Sequence, residues 1–210
     1  MYGLTVTTQP ASEPVSLADA KEHLRIASAQ TDYDSLVSGL IVAARRYYEA
    51  RTHRALIRRT LTFTTEFFPS SLDLLCLPWS PLYSITSVKY YDLNGTQQTW
   101  SSANYTVITN REPGGLALNY NTYWPTYRIQ PQGIEIVYVA GHATAAGSSV
   151  PAEAVHAIKL LITHWFENTS GVIVGPTPNQ VPLSVESLIG ASIVADEFIC
   201  YGRDLFQDDD

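Results

Sequence analysis

The chain has 210 residues, 45% hydrophobic and 16% charged, with a formal net charge of −7. That apolar content supplies a core and excludes a disordered chain, and the length makes one large domain or two small ones. The acidic balance excludes a free nucleic-acid-binding domain, which carries a basic footprint. Cys76 and Cys200 stand far apart with no CxxC, the pattern of reduced thiols. No basic-then-apolar leader opens the chain, so no signal peptide is expected, and no run approaches the ~20 apolar residues of a membrane span. Tyr is abundant, with 13 copies, and Lys is scarce. That bias fits a contact surface and, equally, a Tyr-rich sheet.

Residues 1–12 read as an extended arm. Ser16 caps a helix running to about Ile26, with Asp19 completing a capping box. Asp32 caps the next helix, to Thr52, whose apolar positions Tyr33, Leu36, Val37, Leu40, Ile41, Ala44 and Tyr48 form one buried stripe. After Leu56 the period changes to two. Leu61, Phe63 and Phe67 alternate with Thr62, Thr64 and Glu66, as in a half-buried strand. Leu72 to Cys76 is a second strand, ended by Pro78 and Pro81. Asn94-Gly95 between Ile85–Tyr91 and Gln97–Trp100 is a hairpin signal. Tyr105–Thr109 and Gly115–Asn119 flank a Pro-Gly-Gly turn, and Ile134–Ala140 is a last strand. Pro151 suits the first position of a helix to Asn168, with Val155, Ile158, Leu161, Ile162, Trp165 and Phe166 as its stripe. Residues 169–183 are loop, and Ser184 caps a short helix to about Ile189. The fold class is therefore α+β: a bundle of N- and C-terminal helices, an inserted antiparallel β domain and a C-terminal extension. The expected divisions are 13–56 with 150–190 for the helices, 57–149 for the β domain and 191–210 for the tail. The helical stripes look too few to close a large core alone, which suggests a subunit completed by its neighbours.

Signatures of chemistry are sparse. No phosphate-binding glycine loop, zinc spacing or nucleophile elbow occurs. Gly114-Gly115 reads as a turn. His156 and His164 lie too far apart on one helix to chelate an ion. Glu66, Asp73, Asp92, Glu112 and Glu135 could supply a carboxylate pair for glycoside hydrolysis, but nothing selects a pair. The chain is read as a non-enzyme that needs no cofactor and no metal.

One charge pattern stands out. Arg45, Arg46, Arg51, Arg54, Arg58 and Arg59 fall within fifteen residues against the single acid Glu49, a local charge of +5. From Glu186 onward seven acids meet only Arg203, a local charge of −6. The run reads either as a solvated helix end or as an electrostatic seam facing acidic groups on another subunit. In the tail, Val194, Phe198, Tyr201 and Leu205 keep helical spacing, with Ile199 and Phe206 beside them. Such a stripe fits a docked terminal helix or a partner groove.

Three segments carry a family resemblance: EPVSLADAKEHLRI from Glu13, ARRYYEARTHRAL from Ala44, and VPAEAVHAIKLLITHWFEN from Val150. In order and separation they resemble the head–tail connector (adaptor) proteins of tailed phages, over residues 13 to about 190. The resemblance implies a structural virion protein of the neck, assembled in the host cytoplasm. It implies a homo-oligomeric, dodecameric ring beneath the portal that extends the DNA channel and docks the next neck or tail-completion protein. DNA would pass during packaging and ejection without specific binding, and no membrane is involved. The six arginines would then serve a subunit interface or the channel. Val194, Phe198, Ile199, Tyr201, Leu205 and Phe206 would form a portal-docking tail. The β insertion departs from the simplest helical connectors. It keeps open a rival reading, a β module recognising carbohydrate through Trp79, Trp100 and Trp124, with a small hydrolase third.

Overall fold

A computed structural model describes residues 2–69, 74–144, 149–168 and 183–194. The chain is mixed α+β, with four α-helices and two antiparallel sheets among the described residues. It divides into two compact units, each built from separate stretches of sequence. One comprises residues 11–57 and 142–193; the other comprises 1–10, 58–141 and 194–210.

The first unit is helical. Its helices are α1 (Leu17–His23), α2 (Asp34–Thr52), α3 (Ala152–Glu167) and α4 (Leu183–Ser192). Ser16 caps α1 as read, its Oγ accepting from the Asp19 N–H at 3.1 Å and donating to Asp19 Oδ2 at 2.6 Å. That bond holds the Asp19 carboxyl below its usual range. Asp32 does not cap α2. The cap is Tyr33, without a side-chain bond, and Asp34 in the first turn pairs with the Lys21 ammonium at 2.7 Å. Lys21 Nζ also donates to the carbonyls of Gln30 at 2.6 Å and Ser28 at 3.1 Å. All three ammonium donors are used, which is why a lysine can be buried here. Pro151 precedes α3 as its cap rather than occupying its first position.

Val37, Ile41, Ala44 and Tyr48 of α2 meet Ala154, Ala157, Ile158, Leu161 and Ile162 of α3 in one core, joined by Val185 and Ile189 of α4 and Ala20 of α1. Two edge-on aromatic pairs extend the α2–α3 contact, Tyr47 with Trp165 and Tyr33 with Phe166. Leu40 and Trp165 were expected inside but are half-buried at the rim. The stripes therefore close a core within the chain, contrary to the expectation that they were too few.

The second unit holds eight strands among the described residues. They are β1 (Gly3–Thr8), β2 (Arg59–Thr65), β3 (Leu75–Cys76), β4 (Leu82–Tyr91), β5 (Gln97–Trp100), β6 (Tyr105–Ile108), β7 (Gly115–Leu118) and β8 (Ile134–Ala140). One sheet has the order β1-β2-β8-β4-β5 and the other β3-β7-β6. The supposed N-terminal arm is thus edge strand β1. β2 and β8 alternate buried and half-buried positions along their whole length, the signature of a sheet with one core face. Pairing sets Leu61 opposite Tyr138 and Phe63 opposite Ile136, so all four face the core together. The buried Tyr138 hydroxyl donates to the Pro78 carbonyl at 2.6 Å. β2 ends at Thr65, which leaves Phe67 outside the strand and exposed. The second predicted strand is the short β3; its predicted start, including Leu72, lies outside the described residues. Gly115 is more than a turn residue, since a methyl there would collide with the Leu75 carbonyl of β3. Cys76 is disulfide-bonded, which corrects the reading of reduced thiols; Cys200 lies outside the described residues.

The β4–β5 hairpin turns at Asn94-Gly95 as read, with Gly95 at φ 81°. The Asp92 carboxylate accepts from the Gln98 amide and from the backbone N–H groups of Thr96 and Asn94, each at 2.9 Å. Led by the Gln98 bond, these hold the Asp92 carboxyl below the usual carboxylate range. A depressed carboxylate contributes above its ordinary pKa and loses that contribution as pH falls through the folded value. In an NMR titration Asp92 is therefore expected to titrate below the exposed carboxylates, and Gln98→Ala to move it back up. In the helical unit, Leu161→Ala is expected to cost about 2–5 kcal/mol in urea unfolding, the range for emptying a fully buried leucine site.

Candidate interaction surfaces

The six arginines of the basic run do not form one patch. Arg45, Arg46, Arg51 and Arg54 belong to the helical unit, Arg58 and Arg59 to the sheet unit. Arg45 is 3% exposed and is part of the fold's interior. Its Nε donates to Glu13 Oε2 at 2.6 Å and its Nη2 to Glu13 Oε1 at 3.2 Å, a bidentate pair. Its Nη1 donates to Glu49 Oε2 at 2.8 Å. The other Glu49 oxygen accepts from the Leu56 N–H at 2.9 Å, and Glu49 is fully buried. Burial opposes the charge on Arg45, but the hydrogen bonds and charges of Glu13 and Glu49 outweigh it and raise the guanidinium above its usual pKa.

Arg54 is half-buried, and its Nε donates to the Ser192 carbonyl at the end of α4 at 2.7 Å. Arg46 is exposed. Arg51 is exposed too, with Glu186 of α4 at 3.6 Å and both side chains about half open to solvent. In the sheet unit the Arg58 guanidinium lies 3.5 Å over the Tyr83 ring, and the buried Arg59 lies 5.0 Å over Trp79. The exposed cationic side chains of this run are therefore Arg46 and Arg51, the latter beside Glu186.

Of the tail residues, Val194 is buried. Phe198, Ile199, Tyr201, Leu205 and Phe206 lie outside the described residues, as do the acids that follow them.

The tryptophans do not make an open platform. Trp100 is buried and stacks on Tyr105 with ring centroids 5.2 Å apart; Trp124 stacks on Phe68 at 4.6 Å. Trp79 is covered by Arg59. Nothing in this arrangement favours the carbohydrate reading. Of the acids, Asp92 organises a turn and Glu135 pairs with Lys89 at 3.2 Å, while Asp73 lies outside the described residues. No group of His, Cys, Asp and Glu among the described residues could hold a metal ion. No helix of the described residues is long and apolar enough to cross a membrane.

Large exposed side chains mark a further surface that the sequence reading missed. Tyr120 and Tyr123 are 94% and 78% exposed on the β7–β8 connection, Ile129 stands further along it, and Leu93 stands at the β4–β5 turn. Periodicity could not single them out, because they lie in loops between elements. That β1 and β5 are the outer strands of the five-stranded sheet among the described residues was equally invisible, since strand order is a long-range property.

No family model matches the chain, and no curated protein does. Solved structures share its fold. A chain from the virion of a native gene transfer agent particle matches with TM-score 0.73 and 21% identity, covering 92% of this chain and 96% of that one. A chain from the neck of the empty particle, computed with C6 symmetry, matches with TM-score 0.73 and 20% identity over the same shares. A chain from the neck of the native particle, computed with C12 symmetry, gives 0.70 and 20% over the same shares. At this identity the fold is what is shared, and it is consistent with the resemblance to head–tail connectors.

The two kinds of arginine are expected to respond differently. Glu49→Ala leaves Arg45 buried with one partner and should cost about 3 kcal/mol, the low end for a broken buried pair because Glu13 remains. Arg51→Ala should cost less than about 1 kcal/mol, as for exposed pairs. Urea unfolding of the two variants reads both values.

Proposed function

We propose that this chain is a structural subunit of a phage-like particle's neck, a head–tail connector that forms a ring beneath the portal. The observation that carries the reading is the shared fold, which spans nearly the whole of this chain and of the neck chains it matches. The symmetry of those necks supports a ring of six or twelve copies, and the resemblance favours twelve. Such a ring extends the DNA channel and offers a face to the next neck or tail protein. The subunit acts by shape and surface, with no catalytic step assigned to it. A net charge of −7 suits a conduit, since an acidic wall repels phosphate and lets DNA slide past.

Within this reading Arg46 and Arg51 are the exposed members of the basic run that would meet acidic groups of a neighbour or the portal, Arg51 in exchange for its solvent-open pair with Glu186. Arg45 and Arg54 brace the subunit itself. The segment from Val194 to the terminus is the portal-docking tail, with Phe198, Ile199, Tyr201, Leu205 and Phe206 as its apolar side. The Asp208–Asp210 end would meet basic groups on the partner.

Electron microscopy of the purified protein mixed with its portal tests the reading. The expected result is an added ring coaxial with the portal; a chain that stays monomeric and unbound overturns it. Two variants locate the contacts. A full-length chain with Phe198→Asp, Tyr201→Asp and Leu205→Asp keeps Cys200 and Ser192, which Arg54 holds, and should keep its urea midpoint but lose portal binding in a pull-down. Arg46→Glu with Arg51→Glu should leave the urea midpoint nearly unchanged yet impair assembly; wild-type assembly would remove these arginines from the interface.

A further inference from the structure

The five-stranded sheet ends in β1 on one side and β5 on the other. Among the described residues neither outer edge has a strand partner. An open edge presents a row of unpaired N–H and C=O groups that recruits another strand, and folded proteins blunt it with charge, proline, a bulge or a covering element; β1 has one irregularity, between Val6 and Thr8, and is regular over Gly3–Val6. Neither charge nor proline stands in these two strands, which read Gly-Leu-Thr-Val-Thr-Thr and Gln-Gln-Thr-Trp. Thr5, Thr7 and Thr8 are exposed on one edge, and Gln97, Gln98 and Thr99 on the other. Both are made of residues that pair readily rather than repel.

We infer that β1 of one copy adds to β5 of the next, so that the sheets of neighbouring subunits continue into one another. The inference rests on the ring reading above and names the contact that would close such a ring. The occupant is a second copy because the two open edges are different and lie on opposite sides of one sheet. Pairing β1 with β1 stops at a dimer and leaves β5 open. Pairing β1 with β5 repeats, satisfies both edges, and makes the heterologous contact a cyclic assembly requires. The solved neck chains of the same fold come from particles with C6 and C12 symmetry, where a repeating contact of this type is needed.

Charge complementation tests it. Thr5, Thr8, Gln97 and Thr99 are all exposed and, by the strand register, share one face of the sheet. One variant carries Lys at all four positions, a second carries Glu at all four. Each alone sets like charges across every contact and should lose the ring, as read by mass photometry. An equal mixture alternates the two and should restore rings of wild-type mass. Rings from either variant alone, or folded variants that stay monomeric when mixed, overturn the edge pairing and leave the ring reading standing. Wild-type protein that forms no ring, even with its portal, overturns both. Hydrogen exchange on wild-type protein keeps the test decisive should the variants not fold. Amides of residues 3–8 and 97–100 should exchange at least about tenfold more slowly in the ring than in the dissociated subunit. Equal rates in both states overturn the proposal.

Discussion

One guanidinium organises the helical unit. Arg45 grips Glu13 with two of its nitrogens and Glu49 with the third, while Glu49 uses its second oxygen on the Leu56 backbone. Three stretches of chain are fixed at once: the lead-in to α1, the middle of α2, and the segment after α2 ends. Taking an arginine and a glutamate out of water is costly, and their attraction offsets the cost best when further donors and acceptors are also used. Here both Glu49 oxygens and all three Arg45 nitrogens are engaged. The arrangement also explains why α2 can stop at Thr52 and still hand on an ordered chain. His53 adopts the left-handed conformation that ends a helix, and Glu49 holds the backbone three residues further on.

Lys21 does the same at the other end of α2, with two carbonyls and Asp34 as its partners. Both knots are polar groups inside an otherwise apolar unit. They define which connection follows which helix, where apolar packing alone is permissive about register. The apolar contact between α2 and α3 supplies the bulk of the burial, and the ionic knots specify how the ends are tied.

Much of this fold was legible in the sequence where the signal is local. The Ser16 cap, the period-3.6 stripes of α2 and α3, the Asn94-Gly95 turn and the alternation in β2 and β8 each depend on residues within one or two turns of chain. Features decided by distant partners were not. Asp32 looked like the cap of α2 because its residue type favours that place, but the helix begins two residues later, at Asp34, which a distant Lys21 holds. The Gly3–Thr8 segment looked like a free arm because its partner, β2, lies some sixty residues on. The basic run looked like one patch because spacing along the chain cannot tell a buried Arg45 from an exposed Arg46. The residues remaining for a docking role are fewer than the run contained, and the loop residues Tyr120 and Tyr123 had no periodic pattern to announce them.

The order of strands in the larger sheet has a consequence for how the protein is made. The centre of that sheet is β8, which pairs with β2 on one side and β4 on the other. It is also the last strand of the sheet to be synthesised, and β1 at the edge is the first. Synthesis therefore delivers the sheet from its rim toward its middle. Until Ala140 has left the ribosome, β2 and β4 have no strand between them, and their apolar residues Leu61, Phe63 and Val88 have no completed core to enter. The helical unit is equally delayed, since α2 waits for α3, which lies beyond β8. Non-local pairing of this kind folds slowly and leaves apolar strands open to the wrong partner. The nascent chain is thus most exposed to aggregation over its middle third, and it is there that a chaperone would have surface to hold.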